Sequence, residues 1–458
     1  MKKYFYIPQL FLCYICMQCT ISCGKYLEEK ADYSISVAET LNDLRALLDN
    51  EGDLNRNLPG LLETGTDDYY VTDAQYGAVP PYLQGVYIWS ADVNATDLAS
   101  WSTPYKAIMM ANVVLNALER IPNTNPQLYQ ELYGEAHFIR GYQLFLLAQI
   151  FCQPFNSLTA KQELGLPLKY EADLAEEIQR SSLTDTYQQI IDDLKKAADN
   201  LDNRSKFISR PCKAAAYMAL ARTYLAMGDY RSAESFTDKA LDITGNLLDY
   251  KTVATESTQP FNTKNPELIY YVETGQSYQL IYPDYSFISN DLYAMYDALD
   301  LRRALFFSVS SSDKVTFKGY YANSSVCYFG GFATPELYLT KAECLARRSE
   351  KDEAVYYLDQ LLSHRWKDKS YRIQLENNKE NLLAFILDER RKEMLMRGVR
   401  WMDIRRLNAL DNKGIALKRE LLVNGVVKSI VLPANDPRFC FPIPQEVILQ
   451  SRIPQNAR

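Results

Sequence analysis

Aromatic rings set among amides and carboxylates are the residues of this chain whose types and spacing suggest chemistry. Tyrosine is unusually abundant, 34 residues in a chain of 458. Two stretches concentrate it: Tyr69, Tyr70, Tyr76, Tyr82, Tyr87 and Trp89, followed by Asp92 and Asn94, and then Tyr278, Tyr282 and Tyr285, with Asn290 and Asp291 beyond. Pyranose rings stack their C–H faces on aromatic side chains, while their hydroxyls need Asn, Asp, Gln or Arg as hydrogen-bonding partners. The candidate ligand-binding residues are therefore Tyr69, Tyr70, Tyr82, Trp89, Asp92, Asn94, Tyr278, Tyr282 and Tyr285. Some of these rings must instead anchor their loops to the body of the protein, because large aromatics are more often buried than exposed. Catalytic patterns are missing by comparison. The two histidines, His137 and His364, stand in separate helical contexts without H-E-x-x-H spacing, and no G-x-S-x-G elbow, Walker loop or Rossmann G-x-G-x-x-G occurs. Glycoside hydrolysis needs only two carboxylates, but among 57 acidic residues no pair is singled out. No catalytic residue, metal ligand set or cofactor is assigned, and the chain reads as a binding protein rather than an enzyme.

The cysteines carry a second possible chemistry. Cys13, Cys16, Cys19 and Cys23 have the C-x2-C-x2-C-x3-C spacing of a bacterial iron–sulfur run. Gly24 stands where such runs carry proline, no second run completes a cluster domain, and the cysteines lie inside an apolar leader. That leader opens with Lys2 and Lys3, continues mostly apolar from Tyr4 to Ile21, and is broken by Pro8, Gln9 and Gln18. It is shorter than the roughly 20 apolar residues that span a bilayer and reads as an export signal over residues 1–22. The following "TISC" resembles a bacterial lipobox, with Thr20 where leucine is usual, so Cys23 is expected to be lipidated and to anchor the mature chain. Cys152, Cys212, Cys327, Cys344 and Cys440 are an odd number without C-x-x-C pairs, which implies neither a disulfide framework nor a zinc site.

The elements that must hold these residues are mostly helices. The stretch 131–151 is apolar nearly all round after Phe138, as a helix buried in a large core should be, and 182–201 is amphipathic with Ile190, Ile191, Leu194 and Ala198 on one side. Residues 209–241 resemble a tetratricopeptide pair: Ser209 as a cap, Pro211 in the first turn, Tyr217, Leu220, Ala221 and Tyr224 at the repeat spacing, Gly228 in the turn and small Ala233 and Ala240 beyond it. A fainter copy covers 335–362, where Ala342 and Ala354 repeat the separation of Ala221 and Ala233. The two copies are too far apart for a tandem array. Long insertions over about 52–104 and 245–334 interrupt the helices, and the second holds short strand-like runs, "ELIYYVE" and "KVTFKGYY". The net charge is −7, and −9 once Lys2 and Lys3 leave with the leader, which argues against a nucleic-acid partner.

One stretch runs against that charge balance: "DERRKEMLMRGVRWMDIRR", Asp388 to Arg406, is dense in arginine. Its basic residues alternate with Asp388, Glu389, Glu393 and Asp403, which points to internal ion pairing rather than to a phosphate-binding stripe, and Gly398 is expected to break the helix so that Trp401 turns inward. The stretch resembles the E-R-R-x-E-x-x-x-x-G-x-R-W-x-D-x-R-R signature of the SusD/RagB family, carried here by Glu389, Arg390, Arg391, Glu393, Gly398, Arg400, Trp401, Asp403 and Arg405. Six further segments resemble the family in the right order: "SCGKYLEEK", "EAHFIRGYQLFLLAQIF", "SSLTDTYQQIIDDLKKAADNL" with Arg180 before it, "SRPCKAAAYMALARTYLAMGDYRSAE", "TPELYLTKAECLAR" and "FPIPQEVILQSRIPQN". The resemblance covers essentially all of residues 23–458, taken as one domain. It implies a mostly α fold in which tetratricopeptide-like helix pairs form a scaffold with irregular loop insertions and a few short strands. It further implies a non-enzymatic, lipid-anchored nutrient-binding protein of the bacterial outer membrane, facing the cell exterior. Such a protein captures glycans or, in some members, peptides for a SusC-like TonB-dependent β-barrel transporter. By the same resemblance the signature holds the fold and the first aromatic stretch lies where binding loops are placed. The ligand stays open among glucan, mannan, host glycan and peptide. A tetratricopeptide-type protein-interaction scaffold is the alternative.

Overall fold

A computed structural model of the chain describes residues 38–458 except 57, 169–177, 275–277, 283–284, 323–326 and 424–425. The expected leader and Cys23 lie outside the described residues. A run of helices, each packed on the next, forms the scaffold: Ala99–Leu118, Pro126–Phe151, Leu183–Asn200, Lys213–Met227, Tyr230–Leu241, Pro335–Arg347 and Lys351–Leu362. Helix Pro126–Phe151 lies at its centre and is buried on every side from Gly134 to Phe151, as its all-round apolar sequence demands. Its polar residues are paired inside the core. Asp193 of the neighbouring helix accepts from Arg140 Nε at 2.9 Å and Nη2 at 2.8 Å, and lies 2.7 Å from His137 Nδ1.

The C-terminal carbonyls of this central helix illustrate how distant segments complete it. The last turn of any helix leaves carbonyls without intrahelical donors. Here Cys152 N donates to Ala148 O and Phe441 N to Ile150 O. Arg405 donates to Gln149 O and Cys152 O, and Asn456 Nδ2 to Phe151 O at 2.9 Å. A cation at a helix C-terminus also favours the local dipole.

The two predicted helix pairs form, with one correction at the start of the first. Its first helix begins at Lys213, so Ser209 and Pro211 precede it and do not cap it. The reason is that backbone donors there have other acceptors: Lys213 N bonds Asp202 O and Ala214 N bonds Asn203 O. Gly228 ends this helix in the left-handed region, φ 77°, which glycine adopts without strain. Although the pairs are remote in sequence, helix Tyr230–Leu241 packs directly on Pro335–Arg347, and Lys341 Nζ reaches Glu234 at 2.9 Å. The insertion between them leaves the scaffold and returns to it.

The insertions are more regular than loops. The first contains short helices Leu61–Thr64, Asp73–Ala78 and Pro81–Tyr87 and the strand Tyr69–Tyr70. In the second, Leu268–Tyr270 pairs with Phe332–Ala333 and Phe307–Val309 with Val315–Phe317, each antiparallel. Together they build a second apolar core, which includes Tyr69, Tyr87, Tyr250, Tyr278, Tyr296, Tyr321 and Tyr328. A hairpin absent from the sequence reading, Leu417–Val423 with Val426–Leu432, extends from the far end of the chain.

The arginine-rich stretch lies inside the molecule. Helix Leu382–Glu393 ends before Gly398, a second helix starts at Arg400, and Trp401 is fully buried against Phe439 and Phe441. The helix therefore breaks at Met394, earlier than Gly398, while Gly398 (φ 69°) donates its N–H to Glu63 Oε2 at 2.8 Å. Glu393 accepts from Arg365 at 3.0 Å and Arg302 at 3.1 Å, and Glu389 from Arg302 at 2.6 Å and Lys392 at 2.7 Å. Arg390 binds Asp403 at 2.9 Å, Arg406 binds Glu343 at 2.6 and 2.8 Å, and Arg391 and Arg400 reach back to Asp67 and Asp68. Burial acts to raise the Glu393 carboxyl, but Arg365 and Arg302 outweigh it and hold it below the usual glutamate range.

Candidate functional site

The two aromatic stretches, about two hundred residues apart in sequence, meet in one place. Strand Tyr69–Tyr70 pairs antiparallel with Phe287–Ile288, setting Tyr69 opposite Ile288 and Tyr70 opposite Phe287. The Tyr70 and Phe287 rings are 5.6 Å apart, both half-buried. Lys314 Nζ sits 4.4 Å from the Phe287 ring centroid, within cation–π range. Tyr285 donates its hydroxyl to Gln75 O, joining the second stretch to the helix that carries Tyr76. That short helix starts where it does because Thr72 and Gln75 form a reciprocal capping box.

Within this arrangement the nine predicted binding residues separate by exposure. Tyr69, Trp89 and Tyr278 are buried, at 1%, 0% and 4% exposure, so their rings are closed to a ligand. Each has an anchoring bond instead. Tyr69 OH donates to Thr64 O at 2.7 Å, Trp89 Nε1 to Gly65 O at 2.8 Å, and Tyr278 OH lies 2.8 Å from Ser100 Oγ. The Tyr278 ring covers Gly60 so closely that a Cβ there would lie 2.1 Å from it, which only glycine allows. Burial pushes the neighbouring Asp97 carboxyl above its usual value, although Ser100 and Tyr278 donate to it. Tyr70, Tyr82, Tyr282 and Tyr285 remain partly exposed, and Asp92 and Asn94 are exposed. Asp92 Oδ1 accepts from Asn94 N at 2.9 Å and Nδ2 at 3.0 Å, so this pair forms a closed local turn.

Three residues of the site escaped the sequence reading. Phe287 lay within the second aromatic stretch, and its role depends on strand pairing. Lys314 opens the strand-like run "KVTFKGYY", and nothing local in the sequence ties it to Phe287. Arg419, on the first strand of the C-terminal hairpin, supports the site from below. Its guanidinium donates to the backbone carbonyls of Thr66, Tyr69 and Tyr87, and lies 4.8, 4.2 and 5.2 Å from the rings of Tyr69, Tyr87 and Trp89. A planar five-donor group suits that task where an ammonium would not. The patch thus brings together the half-exposed rings of Tyr70, Phe287 and Tyr285, the Lys314 ammonium and, beneath strand Tyr69–Tyr70, the buried rings of Tyr69, Tyr87 and Trp89 gathered around Arg419. Such a surface can stack a sugar ring and bond its hydroxyls. Among the described residues no group of three or more His, Cys, Asp or Glu is placed to hold a metal ion.

Comparison with known proteins agrees with this architecture. A SusD-like family model described as "Starch-binding associating with outer membrane" matches residues 25–225, and a SusD family model matches 332–456. Among solved structures, a SusD superfamily protein from Bacteroides thetaiotaomicron is similar with a TM-score of 0.75 at 22% identity, covering 92% of this chain and 100% of that one. A putative sugar binding protein from Bacteroides vulgatus gives 0.75 at 19% identity, covering 92% and 99%, and a SusD-like carbohydrate binding protein from the same species gives 0.67 at 15%, covering 91% and 97%. No curated protein matches. The structures establish a shared fold over nearly the whole length, the two family models match in chain order at either end, and the chain belongs to the SusD/RagB family.

Proposed function

We propose that this chain is a lipid-anchored, cell-surface glycan-capture protein of the outer membrane, which passes its ligand to a SusC-like TonB-dependent β-barrel transporter. The observation that carries the reading is the pairing of Tyr70 with Phe287, which unites two remote aromatic stretches in one half-exposed patch over a rigid base. A half-exposed ring forgoes only part of the roughly 1.5–3 kcal/mol that full burial of a large apolar side chain supplies, and it is the contiguity of such rings that marks a ligand surface. The residues assigned to that ligand are Tyr70, Phe287, Tyr82, Tyr282 and Tyr285, with Gln75 and Lys314 beside them. Tyr69, Trp89 and Tyr278 serve as supports. Further support comes from the family description and from the names of two similar structures, a putative sugar binding protein and a SusD-like carbohydrate binding protein. No residue is assigned a catalytic role.

The test is recovery of the C-terminally tagged chain from native outer membranes in mild detergent, followed by mass spectrometry. A large β-barrel in stoichiometric amount, together with a diacylated N-terminal peptide beginning at Cys23, is the expected result. Recovery of soluble client proteins without a barrel would replace this reading with that of a protein-interaction scaffold.

A further inference from the structure

A second place on the molecule combines an exposed ring with buried polar groups. Phe207 is 48% exposed, in a segment that borders a cleft of about 540 Å³ lined also by Asn55, Arg56, Tyr271 and Glu273. That volume falls within the usual span of small-ligand sites, about 300–1,000 Å³. The ring is held in place: the Arg210 guanidinium lies 4.7 Å from its centroid and is itself fixed by two bonds of 2.8 Å to Asp49. Glu273 is only 7% exposed, accepts the Tyr271 hydroxyl and forms an ion pair with Arg56 at 3.2 Å. The cleft shares no residue with the aromatic patch.

We infer that this cleft is a second carbohydrate subsite, which seats a neutral pyranose against Phe207 and bonds its hydroxyls through Glu273, Tyr271 and Arg56. Charge decides for a neutral ligand: Glu51 and Glu273 face Arg56 and Lys206, so the lining acids and bases cancel. Backbone chemistry decides against an extended peptide, which binds by pairing with a strand edge. The walls have already used such groups on each other. Tyr271 N donates to Ile208 O, Glu273 N to Asn55 O and Leu58 N to Glu273 O, at 2.7, 2.8 and 3.1 Å. Asn55 Nδ2 bridges Ser209 O and Tyr271 O, each at 2.8 Å. The side chains are bonded to one another too but keep capacity, since the Glu273 carboxylate has lone pairs beyond its bonds to Tyr271 and Arg56 and the Arg56 guanidinium has further N–H donors, beside a fixed and exposed ring. The same combination at the aromatic patch uses different residues, so the two sites are separable by mutation.

Saturation-transfer NMR on the detergent-solubilised full chain tests this with four probes, maltohexaose, mannohexaose, cellohexaose and chitohexaose, and with hexaalanine as the peptide control. The double variant Tyr70→Ala/Phe287→Ala removes the patch. In that background at least one hexasaccharide should still receive transfer, and adding Phe207→Ala should weaken its binding by about tenfold or more, as expected when a sugar can no longer stack on an aromatic ring. Glu273→Gln, which keeps the ring and an acceptor oxygen, should weaken it severalfold and serves where Phe207→Ala alters folding. Binding that disappears with the patch variant and ignores Phe207→Ala overturns the second subsite while leaving the patch reading intact. Absence of Phe207-dependent transfer from all four sugars also overturns it, as does Phe207-dependent transfer to hexaalanine alone.

Discussion

Tyr285 donates its phenolic hydrogen to the main-chain carbonyl of Gln75 across 210 residues of sequence. With the Tyr70–Phe287 rung, this bond fixes how the two aromatic stretches face each other. Tyr285→Phe deletes the bond and keeps the ring. The expected cost in stability is about 1 kcal/mol, the net contribution of one hydrogen bond. Glycan affinity should fall more than that small loss suggests, because the rim positions are no longer held in register. Calorimetric titration beside thermal unfolding checks both; unchanged affinity would show that the two stretches bind independently.

Rim and floor respond differently to alanine. Tyr70→Ala with Phe287→Ala should weaken glycan binding by about 30-fold, or about 2 kcal/mol, while unfolding stays cooperative. Trp89→Ala, in the floor, removes a fully buried indole and its bond to Gly65 O. It should cost about 3–5 kcal/mol of stability, as large core truncations do. Affinity measured on the fraction that remains folded separates the two cases. If Trp89→Ala lowered affinity without lowering stability, the floor assignment would be wrong.

Arg419→Lys tests whether the hairpin strand shapes the site. Lysine keeps the charge and cannot reach three carbonyls at once. Loss of even one or two charge-assisted bonds corresponds to about 2 kcal/mol or more. Hydrogen exchange should therefore accelerate selectively over residues 66–89, with the helical scaffold unchanged. Uniform acceleration across the chain would mean that Arg419 supports the whole fold instead.

The helical scaffold was legible because its signals are local. The all-round apolar run to Phe151, the amphipathic 182–201 stretch and Gly228 in its turn each depend on neighbours within a few residues. Ser209 and Pro211 misled because the backbone donors at 213 and 214 find Asp202 O and Asn203 O, a tertiary partnership invisible in the sequence. At the site, composition located both aromatic stretches but could not sort them. Whether Tyr69 or Tyr70 points outward follows from strand alternation, and the pairing partner at Phe287 and Ile288 lies far along the chain. Arg419 carried no signal, since its partners are backbone carbonyls that every sequence has.

Glu393 is shared between Arg302 and Arg365, all three fully buried. Glu393→Ala would leave two guanidinium groups short of a counter-charge, and breaking such a pair costs about 3–5 kcal/mol. Glu393→Gln keeps the shape and an acceptor and should cost less. Chemical denaturation of the two variants gives the comparison. Equal losses would mean that shape, rather than charge, is what the site requires.

The pH dependence of stability should show two opposite limbs. Burial tends to raise Glu336, Glu343, Glu393 and Asp403, yet their arginine partners outweigh it, so all four titrate below their ordinary values when folded. A carboxyl lowered by folding contributes stability that is fully present above its unfolded pKa, about 4, and is lost as pH falls through the folded one. These four therefore predict a steep loss of stability below about pH 4. Glu63 is the reverse. Burial first, and then the nearby Asp68 carboxylate, raise it well above the usual glutamate value, with Gly398 N–H opposing. The proton is held more tightly in the folded state, so stability falls as pH rises from about 4.3 toward the folded pKa. Glu63→Gln removes its share of that limb, leaving the one from Asp97, and keeps an acceptor for Gly398 N–H. Its unfolding free energy relative to the natural chain should be nearly flat at about pH 3 to 4 and grow more favourable toward pH 7. A difference that shrinks with rising pH would mean that Glu63 is ionised in the folded protein and paired with a cation.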